Sequence, residues 1–259
     1  LVPELLRLLL ALCTSTPTLA QQLKSLRFIA VGGGKVAPDL IKHARQLGLP
    51  VYEGYGLSEC GSVVALNSPD ADKPGSVGRP LPHCQVTIAS DGEIMVSGSA
   101  MLGYLGSNEP TPEQIATGEP SAMQIATGDL GRLDDEGYLH ITGRKKNVQI
   151  TAFGRNFSPE WVEAEAQLCP AIARIVVFGD GQPANVALIQ PLPGKEADLP
   201  RQIAGLNQRL PDYARLHHWL PVALDQHPGL LTANGRPRRN EIYQHFSQQI
   251  SQCLTGESS

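Results

Sequence analysis

The sequence predicts a fold of mixed α/β and α+β class: an α/β layer, then a small barrel-like antiparallel sheet, then a small α+β domain. Three changes of pattern along the 259 residues support this prediction. Residues 1–68 alternate strand-like and helix-like apolar segments, which is typical of a parallel α/β layer. Residues 69–143 contain short alternating segments between Pro and Gly turns, and residues 144–259 mix strands with helices. We therefore predict a domain boundary between residues 143 and 144.

The first region contains the elements of a strand-helix-strand unit in order. Residues 3–12 are rich in leucine and begin with a proline, which predicts a buried helix. Residues 26–31 predict a buried strand, residues 38–47 a helix, and residues 51–52 the start of the next strand. The leucine-rich segment is too short to cross a bilayer, so we expect no transmembrane segment.

The later elements follow from alternation and from helix-start signals. The middle region predicts short strands at residues 85–89, 93–97 and 138–141. Ser158 followed by Pro159 is typical of an N-cap and a first helical residue. The other predicted elements of the last region are a hairpin strand at 148–153, strands at 172–178 and 186–190, and helices at 196–210 and 242–250.

Composition excludes several classes of protein. The chain is 41% hydrophobic and 18% charged, which indicates a packed core rather than disorder. A net charge of −4 argues against general nucleic-acid binding, which needs a basic face. The five cysteines are dispersed and form no CxxC pair, so we expect neither a zinc site nor a disulfide framework. This cysteine usage favours a reducing, cytoplasmic location.

Residues 51–60 are the most informative stretch of the chain. An apolar strand runs into Gly54-Tyr55-Gly56, and Ser58-Glu59 follow at once. Glycines allow a backbone to approach a ligand closely, and the tyrosine offers a ring face. The hydroxyl and carboxylate suit phosphate and a hard cation such as Mg²⁺. The same pattern also occurs in ordinary strand-to-loop corners, so the turn alone leaves both interpretations open.

Further motifs occur in a fixed order around this turn. They are GGG at residues 32–34, TGD at 127–129, DDEGY at 134–138 and GRKK at 143–146. In this order they resemble the motifs of the adenylate-forming, AMP-binding enzymes, which include acyl-CoA synthetases, firefly-type luciferases and peptide-synthetase adenylation domains. The segments GRKKN at 143–147 and FGRNFSPE at 153–160 are similar to the long-chain acyl-CoA synthetases.

The resemblance implies a domain arrangement and an activity. Residues 1–143 would be the C-terminal part of the large AMP-binding domain, and residues 144–259 the small mobile domain. The intact ligase would use ATP and Mg²⁺ to convert a carboxylate, expected to be a fatty acid, to an acyl-adenylate. The acyl group would then pass to coenzyme A. A ligase that loads an acyl carrier protein and a non-catalytic adenylate-binding homologue remain alternatives, as does an unrelated α/β protein.

The resemblance also assigns the glycines and the tyrosine of the first region. Gly33 and Gly34 would lie beside the adenine and the acyl pocket. Tyr55 would stack on the adenine of ATP or AMP, with Gly56 part of the same nucleotide-binding turn. Considered alone, the glycine run is better explained as a tight turn between a strand and a helix.

Four further residues would act on the nucleotide. Ser58 would face the phosphate, and Glu59 would hold Mg²⁺. Asp129, expected at a turn, would accept hydrogen bonds from two ribose hydroxyls, and Arg144 would reach the ribose or the phosphate. The pentapeptide QIATG occurs at residues 114–118 and again at 124–128, and only the second copy precedes Asp129. The alternatives are an aspartate that caps a turn and a solvated linker arginine.

The last assignments concern the C-terminal domain. Lys146 would be the hinge between the two domains, and Gly154 would line the coenzyme A entry. The family has a lysine after the Asn-Gly turn that contacts carboxylate and phosphate oxygens during adenylation, and this chain has Arg236 there. Arginine keeps the charge but is planar and forked. The family's Ser/Thr/Gly-rich phosphate loop has no match, so we expect the C-terminal half of a longer enzyme, inactive on its own.

Overall fold

The structure is a computed structural model that describes residues 1–98, 101, 124–233 and 235–255. The first QIATG copy, at residues 114–118, lies outside the described residues. The chain divides into a first unit, Leu1–Lys146, and a second unit, Asn147–Ser259. The domain boundary placed between residues 143 and 144 stays a prediction. The mixed α/β and α+β class is confirmed.

The first unit begins with the expected strand-helix-strand arrangement. Its first elements are α1 (Pro3–Ser15), α2 (Pro17–Leu23), β1 (Ile29–Val31), α3 (Pro38–Gln46), β2 (Val51–Tyr55), β3 (Ala65–Leu66) and β4 (Arg79–Pro80). Strands β1 and β2 pair in parallel, with Ile29 opposite Val51, and β3 and β4 extend the sheet antiparallel. Each of the three helices has a proline in its first turn, where the missing N–H costs no hydrogen bond. Within the described residues, no helix is long and apolar enough to span a membrane.

The other named strands in the described part of the first unit form a four-stranded antiparallel sheet. Its strands are β5 (Cys84–Ile88), β6 (Glu93–Gly98), β7 (Gln124–Leu133) and β8 (Leu139–Arg144), paired in that order. The side chains of Ile94, Val96 and Leu139 are buried in a core that also contains Val64 and Ala65. This core therefore joins the antiparallel sheet to the end of the α/β layer.

Asp129 lies inside strand β7, so its predicted position at a turn is wrong. Arg144 on β8 is its register partner, and from this pair the ladder runs on to Leu133 opposite Leu139. The strand is irregular here: the register shifts between Leu130 and Gly131, and Gly128 has a φ of +71°. Such irregularities re-aim side chains without ending the strand. Thr, Gly and Asp are residues typical of turns, which explains the prediction. In the structure, pairing with the neighbouring strands keeps this segment extended.

The second unit contains a three-stranded sheet with helices on both faces. Its elements are β9 (Gln149–Ile150), β10 (Asn156–Phe157), α4 (Pro159–Glu165), β11 (Ile172–Phe178), β12 (Asn185–Pro191), α5 (Leu199–Arg209), β13 (Leu216–Pro221), α6 (Arg239–His245) and α7 (Ser247–Thr255). Strand β12 is central, antiparallel to β11 and parallel to β13. Ala187 and Ile189 pack towards α4 and α5, whereas Val186 and Leu188 pack towards α6 and α7. Because both faces are covered, β12 is a nearly continuous apolar run.

Three details of the second unit differ from the sequence predictions. The strand expected at 148–153 is shorter, because the chain turns after Ile150 and returns as β10. The helix expected at 242–250 is two helices, separated at Phe246, whose φ of −105° and ψ of 15° leave the helical range. The buried Phe246 ring contacts His227 and His245, and this tertiary packing explains the break. Ser158 is the N-cap, but its hydroxyl donates to Glu160 instead of capping a backbone N–H.

Replacing Leu188 by alanine should remove buried apolar contacts from the central strand and lower the free energy of unfolding of the second unit by about 2–5 kcal/mol. Leu188 is 0% exposed, whereas Leu192, just beyond the same strand, is 41% exposed. Urea unfolding followed by tryptophan fluorescence measures this, since both tryptophans, Trp161 and Trp219, lie in the second unit. Leu192→Ala is the matched control and should change stability by less than about 1 kcal/mol. Equal losses in both variants would contradict the assigned core.

Candidate functional site

Three of the predicted site residues meet around one carboxylate. Tyr55 at the end of β2 donates its hydroxyl to Asp129 Oδ2 at 2.7 Å. Arg144 at the end of β8 approaches Asp129 Oδ1 with its Nε at 2.8 Å. Each carboxylate oxygen therefore has a donor, one from the α/β layer and one from the antiparallel sheet. We call these three residues the Asp129 cluster.

In the Asp129 cluster the carboxylate of Asp129 is buried, whereas the guanidinium of Arg144 is partly accessible to solvent. Asp129 is 6% exposed, whereas the Arg144 side chain is 50% exposed. Burial, and then the charge of Asp129, raise the pKa of Tyr55 well above its usual range. The phenol is therefore protonated at neutral pH and donates to the carboxylate. A buried carboxylate with two donors is far less costly than an isolated one.

The irregular part of β7 is held by neighbouring polar groups. Thr127 Oγ1 donates to the carbonyl of Ile94 at 2.8 Å and accepts the Asp129 N–H at 3.1 Å. The Gly128 N–H donates to Glu93 Oε1 at 2.9 Å, and Glu93 Oε2 is 2.7 Å from Lys145 Nζ. These bonds fix the backbone from which the Asp129 side chain projects. Sequence analysis gave no role to Glu93 or Lys145.

The predicted glycines differ in how strongly the backbone requires them. A Cβ on Gly56 would lie 1.7 Å from the carbonyl oxygen of Ser62, so no larger residue fits. Gly33 has a φ of +76°, in the left-handed region that favours glycine. A Cβ on Gly34 would meet only the ring of Pro3, at 3.6 Å, which is an ordinary contact. Close backbone packing alone therefore accounts for Gly56.

Ser58 and Glu59 form a 3₁₀ turn, Ser58–Cys60, directly after the Tyr55 strand. Ser58 is exposed and Glu59 is half-buried. The Glu59 carbonyl accepts the N–H of Met101 at 2.7 Å. Within the ranges that the structure describes, no three His, Cys, Asp or Glu side chains are grouped as a metal site. Among the described residues, Glu59 is therefore one carboxylate on a short turn and belongs to no group of three such side chains.

The remaining predicted residues lie at the end of the first unit or in the second. Lys146 is the last residue of the first unit. Gly154, with a φ of +73°, is in the turn between β9 and β10, beside Phe153, which is 76% exposed. Arg236 is exposed and lies between β13 and α6.

Sequence analysis missed a buried carboxylate, Glu53, that lies two residues before Tyr55. It shares the buried face of β2 with Val51, and its pKa is raised from 4.5 to about 8 by burial. The charge of Lys35 and the N–H of Val36 oppose this rise. Lys35 also donates to the carbonyl of Ile141 at 3.1 Å, which connects the glycine run to β8. The sequence does contain one sign of this residue: Glu53 is a single glutamate two positions after Val51, on the side of the strand that the alternation predicts to be buried.

The raised pKa of Glu53 predicts a pH-dependent stability of the first unit. Between about pH 4.5 and pH 8 the folded chain holds a proton on Glu53 that the unfolded chain has lost. The free energy of unfolding should therefore fall as pH rises, by up to about 1.4 kcal/mol per pH unit. Urea unfolding of wild type and Glu53→Gln across this window measures the effect, and the variant should lose it. Glu4→Gln, at an exposed position, should keep the wild-type slope; an unchanged slope in Glu53→Gln would contradict the assignment.

Two family profiles and several known proteins are similar to this chain. The family profile described as AMP-binding enzyme matches residues 1–105, and the profile described as AMP-binding enzyme C-terminal domain matches residues 147–258. A long-chain-fatty-acid–CoA ligase, FadD15 of Mycobacterium bovis, is 40% identical over 159 residues, which are 61% of this chain and 26% of the relative. The 2-succinylbenzoate–CoA ligase of Bacillus velezensis is 36% identical over 172 residues, 62% of this chain and 34% of the relative.

Solved structures share the fold. The o-succinylbenzoate CoA synthetase of Bacillus subtilis, in complex with its acyl-adenylate intermediate, has a TM-score of 0.70 and 27% identity, covering 93% of this chain and 50% of that one. The anthranilate CoA ligase AuaEII has a TM-score of 0.74, and at 22% identity it supports the fold alone, covering 95% of this chain and 49% of that one.

The chain thus spans about half of these solved structures and a smaller share of the curated relatives it matches. The two family profiles match it in the order that the sequence motifs predicted, one in the first unit and one in the second. The chain belongs to the family of adenylate-forming, AMP-binding enzymes.

Proposed function

We propose that this chain is part of an AMP-forming acyl-CoA ligase that activates a carboxylate with ATP and transfers the acyl group to coenzyme A. The observation that carries the proposal is the Asp129 cluster: a buried carboxylate held by a phenol and a half-exposed guanidinium. Relatives that act on fatty and on aryl carboxylates both support the reaction class. A fatty carboxylate is the substrate we favour, because the mycobacterial relative is named for long-chain fatty acids.

The Asp129 cluster suits the nucleoside part of ATP. A carboxylate presents two acceptor oxygens, and Asp129 holds them at a fixed position between Tyr55 and Arg144. A ribose with two neighbouring hydroxyls is a matching donor pair. The hydrogen bond from the Tyr55 hydroxyl to Asp129 fixes the direction of the Tyr55 ring. We assign this ring to stacking on adenine. The half-exposed Arg144 then offers positive charge to the ribose oxygens or the α-phosphate.

Mg²⁺ fits the first unit as an ion that arrives with the nucleotide. Mg²⁺ is usually held by one or two carboxylates together with substrate phosphates and water. Glu59 supplies one such carboxylate on a loop, with Ser58 beside it to donate a hydroxyl to phosphate. When bound, the ion neutralises charge that develops on the phosphate oxygens.

The second unit would supply the remaining charge and the coenzyme A contacts. We assign Arg236 to the position where the family has a lysine, so that its guanidinium offsets the negative charge of the attacked α-phosphate. Lys146 is the proposed hinge, and Gly154 would line the coenzyme A entry. The proposed location is the cytoplasm, in keeping with five cysteines that form no disulfide. Without a phosphate loop in its sequence, this chain alone should not turn over ATP.

The presence of Arg236 in place of the family's lysine also favours a second candidate function, that of a non-catalytic adenylate-binding homologue. Arginine has a planar fork where the family lysine is a compact point charge, so it can bind the adenylate without supporting its formation. A ligase that transfers the acyl group to a carrier protein differs only in the acceptor.

A thermal-shift titration with a non-hydrolysable acyl-sulfamoyl-adenosine tests the nucleotide site in this chain. At a hundredfold over its Kd the ligand should add about 2.7 kcal/mol to the stability of the unit that binds it. Asp129→Asn removes the charge with little change of shape and should abolish most of the shift. Asp135→Asn, at an exposed position of the same unit, is the control and should keep it. A full shift with Asp129→Asn would contradict the proposed role of the cluster.

The acceptor and the role of Arg236 are tested in the complete enzyme. The proposed ligase should show ATP–pyrophosphate exchange with Arg236 present, and Arg236→Ala should reduce the exchange rate by about a hundredfold or more. Product release should require coenzyme A. Exchange that appears only in Arg236→Lys would instead identify the non-catalytic homologue, and release by an acyl carrier protein alone would identify the carrier-loading ligase.

A further inference from the structure

Arg236 and its described neighbours are held by several hydrogen bonds. Leu231 and Pro237 form an isolated antiparallel bridge that closes the turn. Within it, the Thr232 N–H donates to the Arg236 carbonyl at 2.8 Å. The Arg236 N–H donates in return to Thr232 Oγ1 at 3.1 Å, and the Arg236 side chain is exposed. The guanidinium therefore projects from a backbone with a defined orientation.

A second arginine, Arg174, reaches this turn from the sheet. Its Nε donates to the carbonyl of Gly235 at 3.3 Å, and another guanidinium nitrogen donates to Gln190 Oε1 at 3.1 Å. Arg174 and Gln190 are register partners on β11 and β12, next to a register shift between Ile172 and Arg174. Gln190 is 9% exposed, so the partner that orients the Arg174 fork is buried.

The Gly235 carbonyl and the Arg236 N–H belong to the same peptide bond, which is planar. Arg174 holds the oxygen edge of this plane, and Thr232 holds the N–H edge. Gly235 has a φ of +76°, and glycine is the residue whose backbone rotates most freely. Without the bond from Arg174, this peptide plane is restrained at one edge only, and a rotation about it changes the direction of the Arg236 side chain.

The downstream end of the turn is anchored independently. Arg239, the first residue of α6, donates to the Val177 carbonyl at 2.7 Å and to Glu163 Oε1 at 2.6 Å. The Arg239 and Glu163 side chains are 16% and 18% exposed, so this pair is largely shielded from solvent. With this end fixed by Arg239, Arg174 contacts the upstream part of the turn, at the Gly235 carbonyl.

We propose that Arg174 is a positioning residue for Arg236: it locks the Gly235–Arg236 peptide plane and so aims the guanidinium that acts in adenylate formation. The inference rests on the proposed function of Arg236. Arginine suits this task because its planar fork makes two directed bonds at once, one to the turn and one to Gln190. Lysine at position 174 retains charge but only one donor atom, so it should restore part of the effect.

Hydrogen exchange in this chain tests the positioning directly. In Arg174→Met the amide of Arg236 should exchange about tenfold faster than in wild type, because the turn opens more easily. The exchange rate of the Ile203 amide in α5 should not change. In Arg174→Lys, the Arg236 amide should exchange at a rate between those of wild type and Arg174→Met. Arg201→Met, whose side chain is 81% exposed, is the matched control and should leave the Arg236 amide as in wild type. An unchanged Arg236 amide in Arg174→Met overturns the inference.

The complete enzyme provides the catalytic readout. Arg174→Met should lower the kcat of ATP–pyrophosphate exchange about tenfold to a hundredfold, with the KM for ATP within about twofold of wild type. Acyl transfer to coenzyme A from a supplied acyl-adenylate should be unchanged, and Arg174→Lys should recover part of the exchange. Equal losses in both half-reactions would indicate general damage and overturn the inference. If the wild-type enzyme shows no ATP–pyrophosphate exchange, the proposed function itself is overturned. If the wild type is active and Arg174→Met has the same exchange rate, only the role of Arg174 is overturned.

Discussion

The first unit is organised around the burial of one negative charge. Asp129 lies where the α/β layer meets the antiparallel sheet, and an unpaired carboxylate there would be very costly. Tyr55 from one layer and Arg144 from the other remove most of that cost. Strand β7 is irregular at the same residues, and the polar contacts of Thr127 and Gly128 hold its backbone there. This backbone directs the Asp129 carboxylate towards its two donors. Site and fold are thus stabilised by the same bonds.

Sequence reasoning found the members of this cluster but not its geometry. Gly-Tyr-Gly and Thr-Gly-Asp are local motifs, so Tyr55 and Asp129 could be identified from residue type and order. Their mutual contact spans 74 positions and depends on the pairing of β7 with β6 and β8, which no local pattern contains. The same non-local pairing explains why Asp129 is in a strand. Glu53 went unnoticed because a single glutamate hardly alters the pattern of an apolar strand.

The second unit illustrates the complementary case. Strands β11 and β12 were predictable because runs of β-branched and apolar residues covered on both faces leave a strong signal. The break at Phe246 was not, since it depends on contacts of its ring with His227, which lies outside both helices. The role inferred for Arg174 is equally invisible in sequence, because it depends on a carbonyl 61 positions away. Residue type indicates chemistry, and the tertiary contacts decide where that chemistry is directed.

The mixed pairing of the central strand also has a consequence for the order in which the second unit folds. Strand β12 joins β11 through a short connection, so this hairpin closes a small loop. Strand β13 is parallel to β12 and returns only after α5, so its pairing closes a longer loop at a greater entropic cost. The hairpin should therefore form early, with β13 docking later. Until β13 docks, one edge of β12 is unpaired, and such an edge can pair with a strand of another chain.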